Sequence, residues 1–379
     1  MNRLLDDFKH SDRWLSLLTA LALGYSFVLI GSMQRAGSYP YLRPQMIAAV
    51  TGLSASVLLA CADYRLLLKK WKIAAIVGLL MAGAVFVFGI RVSGTDDTAW
   101  IALPWGLTVQ PSELMKVCFI LTFTQHLSYL SEKGKTDKPL WVLTLLLHAA
   151  LPVGLIHLQG DDGTALIFCM IAVLMAAFGH IRARYFLLLG ASAAAGLPVL
   201  WLFIMNDAQR SRLLALAFAG EASDYGWQQY QGKLSIAKGG LYGSGLFQGT
   251  RVAEGIVPEQ ENDFILTVAG EELGFIGCLA LMALLLGIIL RVLLAVRRAG
   301  CLQGELLCAG VFAVIASQTV MNIGMVLGLL PVIGVTLPLF SAGGSSVIST
   351  LLCIGLVQSV YTHRTATDVR MIRRTAVRL

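Results

Sequence analysis

The chain contains ten apolar runs of a length that suits membrane helices, separated mostly by short charged segments. A bilayer supplies no water to backbone groups, so a crossing segment must be a helix of about 20 mostly apolar residues. Of 379 residues, 57% are hydrophobic and 13% charged, far less polar than a soluble domain. The sequence therefore predicts an all-α polytopic membrane protein with about ten transmembrane helices. The predicted spans are 14–33, 46–62, 73–90, 111–130, 139–158, 163–180, 185–205, 264–296, 304–327 and 345–361.

The basic residues are distributed unevenly between the two sets of connecting segments. Of 29 Lys and Arg residues, 20 lie in the N-terminus (1–13), the C-terminal tail (362–379) and alternate loops. Positively charged segments usually stay in the cytoplasm, so we expect both termini to be cytoplasmic and the loop 206–262 to lie outside. The formal net charge of +7 is then explained by the membrane, and we expect no nucleic acid partner. We expect one membrane domain over 1–379.

Two outer segments break the pattern of short loops. The loop 206–262 is rich in Gly and Gln, and a loop of this length is usually functional. The segment 327–346 is apolar but is interrupted by Pro331, Pro338 and Gly343-Gly344. Non-helical backbone at membrane depth is tolerated only against protein or a watery cavity. We therefore expect a re-entrant loop between the last two spans.

Carboxylates occur beside and inside the apolar run that follows the outer loop. Asp263 opens this run, and Glu271 and Glu272 lie within it. An Asp at the centre of a membrane helix costs about 2.5–3.5 kcal/mol on insertion scales, so such acids usually face a cavity. Asp263 fits two interpretations, an N-cap of the helix or a general base that deprotonates an attacking hydroxyl. Glu271 and Glu272 fit internal pairs that support the helix.

Further charged residues mark the starts of two other spans and the outer loop. Glu113 and Lys116 share one helix face; they fit either an ion pair that survives near lipid or a lining for a charged head group. Asp161 fits a turn or N-cap. The outer-loop cations fit a solvated surface or a diphosphate site. Beside them, the N–H groups of Gly239-Gly240 and Gly243-x-Gly245 could approach an anion. These cations are Arg210, Arg212, Lys233 and Lys238.

Together these motifs resemble the SEDS family (shape, elongation, division and sporulation), the RodA/FtsW type of peptidoglycan glycosyltransferase. The resemblance covers about residues 13 to 361 in order and spacing. The matching stretches are VQPSELMK at 109–116, QGDDGTA at 159–165, Arg212 with Phe218, GWQQYQGKLSIAKGGLYGSG at 226–245, VPEQENDF and EELGFIG within 257–277, and NIGMVLGLLPVIGVTLPLFSAGGSS at 322–346.

The resemblance implies an inverting polymerase in the bacterial cytoplasmic membrane that joins lipid II units into glycan strands at the outer face. It implies that Asp263 is the catalytic base, and that the partners are a lipid-linked glycan strand, a class B penicillin-binding protein and other elongation or division machinery. The leaving diphosphate needs positive charge, from Lys or Arg or from a divalent cation such as Mg or Mn. The residues expected to bind substrate are Glu113, Lys116, Asp161, Arg212, Gln231, Lys233, Glu259, Asn322 and Ser345.

The chain departs from the family pattern at several outer positions. Asn262 stands where Thr or Ser usually precedes the acid, Ala99 where Arg is usual, Ala342 where Tyr is usual, and QGDDG replaces QPDLG. These changes allow a specialised or weakly active paralogue. The short N-terminus favours the RodA branch over FtsW.

Two other functions fit the same sequence. A lipid II flippase would use the intramembrane charges for transport, but the candidate polar residues cluster towards the outside. A non-catalytic scaffold that activates a penicillin-binding protein would account for the altered outer positions, whereas the presence of both Asp263 and Lys116 favours an enzyme.

Overall fold

The computed structural model describes residues 11–35, 41–91, 97–104, 108–217 and 224–364. The termini 1–10 and 365–379, Phe218 and part of the predicted outer loop lie outside the described residues. The helices are α1 (Arg13–Arg35), α2 (Leu42–Cys61), α3 (Tyr64–Lys69), α4 (Trp71–Phe88), α5 (Pro111–Glu132), α6 (Pro139–Leu158), α7 (Asp162–Phe178), α8 (Ala183–Val199), α9 (Asp207–Ala217), α10 (Asp224–Gly239), α11 (Thr250–Ala253), α12 (Ile265–Arg298), α13 (Leu302–Val326) and α14 (Gly344–Thr362).

Each predicted span coincides with a helix, so the predicted all-α membrane architecture is confirmed. Eight helices in the described part of the chain are long and apolar enough to cross a membrane. The other two predicted spans are α5, which carries the charged pair Glu113 and Lys116 near its start, and α7, which has 17 residues. The number of helices that cross the membrane stays a prediction.

The helix ends follow local sequence signals. Pro111 and Pro139 each occupy a first helical position, where the missing N–H of proline costs nothing. The side chain of Asp161 accepts a hydrogen bond from the backbone N–H of Thr164 at 2.9 Å, so it caps α7 as the sequence predicts. A five-residue π-helical segment, Leu200–Ile204, continues α8.

The helices α13 and α14 form the centre of the bundle, and α2 packs along α14. Close contact between α2 and α14 depends on small residues: a methyl group on Gly52 would lie 2.7 Å from Leu351, and one on Gly355 would lie 2.7 Å from the carbonyl of Ser56. At the other extreme, α8 has no buried residue. The bundle is therefore tightly packed around α14 and loosely packed around α8.

A small antiparallel sheet joins α4 to α5, which the sequence analysis did not predict. Its strands are β1 (Gly89–Ile90), β2 (Trp100–Ala102) and β3 (Thr108–Val109), in the order β1-β2-β3. Strands of two or three residues are too short to show the alternation of polar and apolar residues on which strand prediction relies.

The helix α12 has 34 residues and is broken at Gly274, where φ is 66° and ψ is −160°. The break leaves backbone groups of α12 without partners inside the helix. These groups form hydrogen bonds with the glycine-rich segment 239–245. The N–H groups of Ser244 and Gly245 donate to the carbonyls of Glu271 (2.8 Å) and Glu272 (3.0 Å), and Phe275 N–H donates to Gly240 (2.9 Å). Of the glycine N–H groups that the sequence offered to an anion, that of Gly245 bonds to α12, whereas those of Gly240 and Gly243 donate to the carbonyls of Ala237 and Gly239.

The segment 327–343 between α13 and α14 is non-helical, as its Pro and Gly residues predict. It is nevertheless largely buried, with Leu337, Leu339 and Phe340 at most 1% exposed. Leu339 has a φ of 67°, unusual for a branched side chain. Its depth in the membrane stays a prediction.

Candidate active site

Asp263 lies two residues before α12 and does not cap it. The N-cap residue is Phe264, and no side chain caps this helix, so the N-cap interpretation of Asp263 is wrong. Within the described residues, its carboxylate makes no hydrogen bond or ion pair. The side chain is partly exposed and faces the segment 327–343, because a methyl group on Gly334 would lie 3.6 Å from its Oδ2. The carboxylate is thus available to a ligand.

The backbone around Asp263 is fixed by the segment 327–343. Asn322 Nδ2 donates hydrogen bonds to the carbonyls of Asp263 (2.8 Å) and Val335 (2.7 Å). Ser341 Oγ donates to the carbonyl of Asn262 at 2.6 Å, and Ala342 N–H donates to the carbonyl of Glu261 at 2.8 Å. Backbone groups on both sides of the carboxylate are therefore held while the carboxylate itself is left unpaired.

A second acid, Asp161, lies near the first. Its Oδ2 accepts a hydrogen bond from Gln110 Nε2 at 2.8 Å. The backbone N–H of Gln110 in turn donates to Ser345 Oγ at 2.9 Å. Beside Asp161, a methyl group on Gly163 would lie 2.0 Å from the carbonyl of Ile333. The segment 327–343 therefore packs directly on the start of α7 and brings the two acids to one site.

Burial and like charge make Asp263 a stronger base than a free aspartate. Burial first, and then the negative charges of Glu259 and Asp161, raise the pKa of Asp263 to about 7. Burial also raises the pKa of Asp161 to about 6, although its bond from Thr164 opposes this change. Burial raises the pKa of Glu259, opposed by a hydrogen bond from Asn262 Nδ2 at 2.7 Å. A carboxylate with a pKa near 7 suits general base catalysis at neutral pH.

The four outer-loop cations differ in the contacts that their side chains make. Lys238 contacts Thr250 and pairs with Glu271 at 3.1 Å. Arg210 donates to the carbonyl of Trp201 at 3.0 Å. Both are thereby committed to internal contacts. Glu271 also accepts the backbone N–H groups of residues 251 and 252, each at 2.9 Å. This confirms that Glu271 supports the structure internally.

Arg212 and Lys233 are the more available cations. Arg212 lies over the ring of Tyr225, 4.8 Å from its centroid, and donates to its hydroxyl at 3.2 Å. Lys233 is exposed, and within the described ranges its Nζ forms no hydrogen bond or ion pair. A methyl group on Gly328 would lie 2.9 Å from that Nζ, so Lys233 lies against the start of the segment 327–343.

Glu113 and Lys116 form a buried ion pair with a distance of 2.8 Å, and Lys116 is 1% exposed. Ser349 Oγ donates to the carbonyl of Glu113 at 2.6 Å, which ties α5 to α14. The second oxygen of Glu113 is buried without a partner. The ion pair confirms the first interpretation given above; the head-group interpretation stays a prediction.

The expected divalent cation stays a prediction. In the described part of the chain, no group of three or more His, Cys, Asp or Glu side chains could hold a metal. Gln231, expected to bind substrate, instead accepts a hydrogen bond from Arg251 Nη2 at 2.5 Å. Its expected role in substrate binding, like that of Asn322 and Ser345, stays a prediction.

Gln110 and Ser341 belong to the site but were not predicted from the sequence. Both are polar residues inside recognised motifs, but their roles depend on partners 51 and 79 residues away. Gln229 was also missed: its Nε2 donates to the carbonyls of Met325 and Leu330, both at 2.8 Å, and so joins α10 to the segment 327–343. No local pattern signals such long-range contacts.

Comparison with known proteins identifies relatives over most of the chain. The FTSW_RODA_SPOVE family model (cell cycle protein) matches residues 13–366. The probable peptidoglycan glycosyltransferase FtsW of Geobacter metallireducens is 34% identical over 330 residues, which are 86% of each chain. The peptidoglycan glycosyltransferase MrdB of Escherichia coli K12 is 32% identical over 291 residues, 76% of this chain and 77% of the other.

Solved structures have the same fold. A chain of a peptidoglycan synthase complex, described for its structural coordination of polymerization and crosslinking, matches with a TM-score of 0.78 at 28% identity, over 94% of this chain and 99% of that chain. The rod shape determining protein RodA of Thermus thermophilus matches with a TM-score of 0.68 at 27% identity, over 94% and 98% of the two chains. The chain therefore belongs to the FtsW/RodA/SpoVE family of cell cycle proteins.

Proposed function

We propose that the protein is a peptidoglycan glycosyltransferase that polymerises lipid II into glycan strands at the outer face of the bacterial cytoplasmic membrane. Its similarity to the peptidoglycan glycosyltransferases FtsW and MrdB supports this activity. The strands would serve either cell elongation and shape or division. The observation that carries the proposal is the unpaired carboxylate of Asp263, whose flanking backbone is fixed by the segment 327–343.

The proposed reaction is a single displacement. Asp263 takes the proton of an acceptor sugar hydroxyl while that oxygen attacks the anomeric carbon of the lipid-linked donor strand. The bond from this carbon to the polyprenyl diphosphate breaks, and the diphosphate leaves with the electron pair. One displacement inverts the anomeric carbon, so one base suffices and Asp161 need not act as a second catalyst.

The leaving diphosphate gains negative charge, which a nearby cation would stabilise. Lys233 is the strongest candidate, because its amino group is exposed beside the segment 327–343 while Lys238 is paired with Glu271. Arg212 is a second donor. A divalent cation held mainly by the substrate oxygens is the alternative source of charge, and the proposed step assigns it no role.

The proposal includes a protein partner. A similar chain occurs in a peptidoglycan synthase complex that coordinates polymerization and crosslinking. We therefore expect this protein to work beside a class B penicillin-binding protein, and with other elongation or division machinery. Both termini are expected to lie in the cytoplasm.

The test is polymerisation of labelled lipid II by the purified protein, with and without a class B penicillin-binding protein, read as glycan strands on a gel. We expect polymer from the native chain and none from Asp263→Asn, which keeps the size of the side chain but cannot accept the proton. Glu254→Gln, an exposed change on the same outer segment, should retain activity. Absence of polymer from the native chain, even with the partner, would favour the flippase or the scaffold, which a lipid II translocation assay would separate.

A further inference from the structure

The helix α6 ends in a turn that brings His157 and Asp162 together. Gly160 has a φ of 87°, which lets the chain reverse direction. Its N–H donates to the carbonyl of His157 at 2.9 Å, and the next N–H donates to the carbonyl of Ile156 at 3.3 Å, a pair of bonds that closes many helices. Across this turn, His157 Nδ1 donates to Asp162 Oδ1 at 2.6 Å, because an ionised carboxylate can only accept.

The second oxygen of Asp162 is bound by a helix of the outer loop. Gln209 Nε2, on α9, donates to Asp162 Oδ2 at 2.5 Å. The oxygen of the same amide accepts the backbone N–H of Asn206 at 3.0 Å, and Asn206 Oδ1 accepts that of Gln209 at 2.8 Å, which forms a capping box at the start of α9. Both ends of the Gln209 amide are therefore engaged. Its orientation is fixed, because a carboxylate only accepts and an N–H only donates.

Few other contacts attach α9 to the bundle. Of its side chains that the structure describes, only Ala215 is buried. Arg210 donates to two carbonyls of the segment Leu200–Ile204, directly before α9, and Arg212 bonds to α10. Among the described residues, the bond to Asp162 is therefore the hydrogen bond that holds α9 against the start of α7.

Asp162 links α9 to the candidate active site. An acid in the first turn of a helix is stabilised by the helix dipole alone, but here both carboxylate oxygens bind side chains from other helices. The preceding residue is Asp161, one of the two acids of the site. The position of α9 relative to these acids is therefore set by Asp162.

Arg212 is the charged group on α9 whose position depends on this link. It lies three residues after Gln209, on the same helix face and about 4.5 Å further along the axis. Its guanidinium lies over the ring of Tyr225 and donates to the hydroxyl, and its Nε has no partner among the described residues. A guanidinium has five N–H donors, so this one can still bind a phosphate through two parallel hydrogen bonds.

We propose that Asp162 is a positioning residue that, through Gln209, sets α9 so that Arg212 binds the diphosphate of the lipid-linked donor. This role rests on the proposed function, in which Arg212 is the second cation for the leaving group. Asp162 acts through Gln209 and α9, without contact with the reacting atoms. When α9 is released from α7, the diphosphate therefore binds more weakly although Arg212 itself is unchanged.

The link is tested by exchanging its donor and its acceptor. Asp162→Asn puts an amide where both neighbours donate, so one of the two hydrogen bonds is lost, and Gln209→Glu puts a second carboxylate beside Asp162. In the double variant, the new amide donates to the new carboxylate and still accepts from His157 through its oxygen. The other oxygen of the new carboxylate accepts the N–H of Asn206, as glutamate does in a capping box.

The readout is the affinity of the full-length protein for undecaprenyl diphosphate, measured by native mass spectrometry, with the melting temperature of each variant measured beside it. We expect the Kd to rise at least about tenfold in each single variant and to return to within about twofold of the native value in the double variant. Asp207→Asn, which removes an exposed acid from the same helix, should leave the Kd unchanged.

Arg212→Gln distinguishes positioning of Arg212 from a general effect on the fold. In the Arg212→Gln background, Asp162→Asn should weaken binding no further, because the group that Asp162 positions has been removed. Additive effects of the two changes, an unchanged Kd in Asp162→Asn, no recovery in a folded double variant, or no binding by the native chain would each overturn the proposal.

The proposed function and the role of Asp162 can fail separately. Diphosphate binding with the expected coupling to Arg212, but no glycan strands from lipid II, would contradict only the proposed function. Glycan strands from the native chain, with a Kd that Asp162→Asn leaves unchanged, would contradict only the role of Asp162.

Discussion

The side-chain amide of Asn322 joins Asp263 to the segment 327–343, donating at 2.8 Å to the carbonyl of Asp263 and at 2.7 Å to that of Val335. Asn322 is fully buried, so both carbonyls would lose their partner in Asn322→Ala. An unsatisfied buried polar group costs about 1–3 kcal/mol. We expect a lower melting temperature and slower polymerisation, with each measured on the same preparation.

The matched control for Asn322 is Gln318→Ala, one turn earlier on α13. Its amide makes a longer contact of 3.4 Å with Thr336 Oγ1 and does not touch Asp263. If Gln318→Ala slowed polymerisation as much as Asn322→Ala, positioning of Asp263 through Asn322 would be contradicted.

The rate of polymerisation should depend on the ionisation of Asp263. Only the ionised carboxylate accepts a proton, so with a pKa of about 7 the rate should rise as the pH passes through 7. The charge of Glu259 contributes to the raised pKa of Asp263. Glu259→Gln should therefore shift the acidic limb of the pH–rate profile to lower pH. The exposed change Glu254→Gln should leave the acidic limb at the same pH. If Glu259→Gln also left it unchanged, the assignment of this limb to Asp263 would be contradicted.

Lys233 should act on the leaving group through its charge. Lys233→Gln should slow polymerisation at least about tenfold, because a positive group at a developing anion contributes mainly in the transition state. Lys233→Arg should recover much of the rate. Lys133→Gln, on an exposed loop residue, is the charge control. Full activity in Lys233→Gln would point to Arg212 or a divalent cation.

Close packing of the segment 327–343 on α7 requires a glycine at 163. Gly163→Ala would place a methyl group 2.0 Å from the carbonyl of Ile333, and such overpacking costs about 1–3 kcal/mol. We expect a lower melting temperature and weaker polymerisation. Gly190→Ala on α8, where nothing lies within 4 Å, should be neutral or stabilising. Equal melting temperatures for the two variants would show that the segment can move away freely.

The buried pair of Glu113 and Lys116 can be separated into a folding role and a substrate role. Lys116→Met leaves a buried unpaired charge, which costs about 3–5 kcal/mol, so the folded yield should fall. The double variant Glu113→Leu, Lys116→Met removes both charges and should recover the yield. If the pair also binds a head group, the double variant should fold without polymerising lipid II; a fully active double variant would limit both residues to folding.

Ten of the helices could be predicted from sequence because each is encoded by one contiguous apolar run, whereas the polar or short helices α3, α9, α10 and α11 were not predicted. The sheet could not, because Trp100 and Gly89 pair through strands too short to have a period. The proximity of Asp161 and Asp263 could not be predicted either, because it depends on the segment 327–343 lying against both Gly163 and Asp263. The resemblance to a family indicated Asp263 as the base, whereas the local sequence alone favoured a helix cap.

The contacts of the glycine-rich segment 239–245 also could not be predicted from the sequence. Gly239 and Gly243 looked suited to an anion because glycine lets a ligand approach the backbone. In the structure, another part of the chain approaches these glycines closely. A methyl group on Gly239 would lie 1.9 Å from the carbonyl of Gly270. Sequence shows that a close approach is possible but does not identify what approaches.

The break at Gly274 divides α12 into a short arm before this residue and a long arm after it. An intact helix must lose backbone hydrogen bonds to bend, but here the bonds around the break already run to the segment 239–245. Because the segment bonds to Glu271 and Glu272 before the break and to Phe275 after it, the outer loop fixes the angle between the short arm that starts beside Asp263 and the long arm in the bundle.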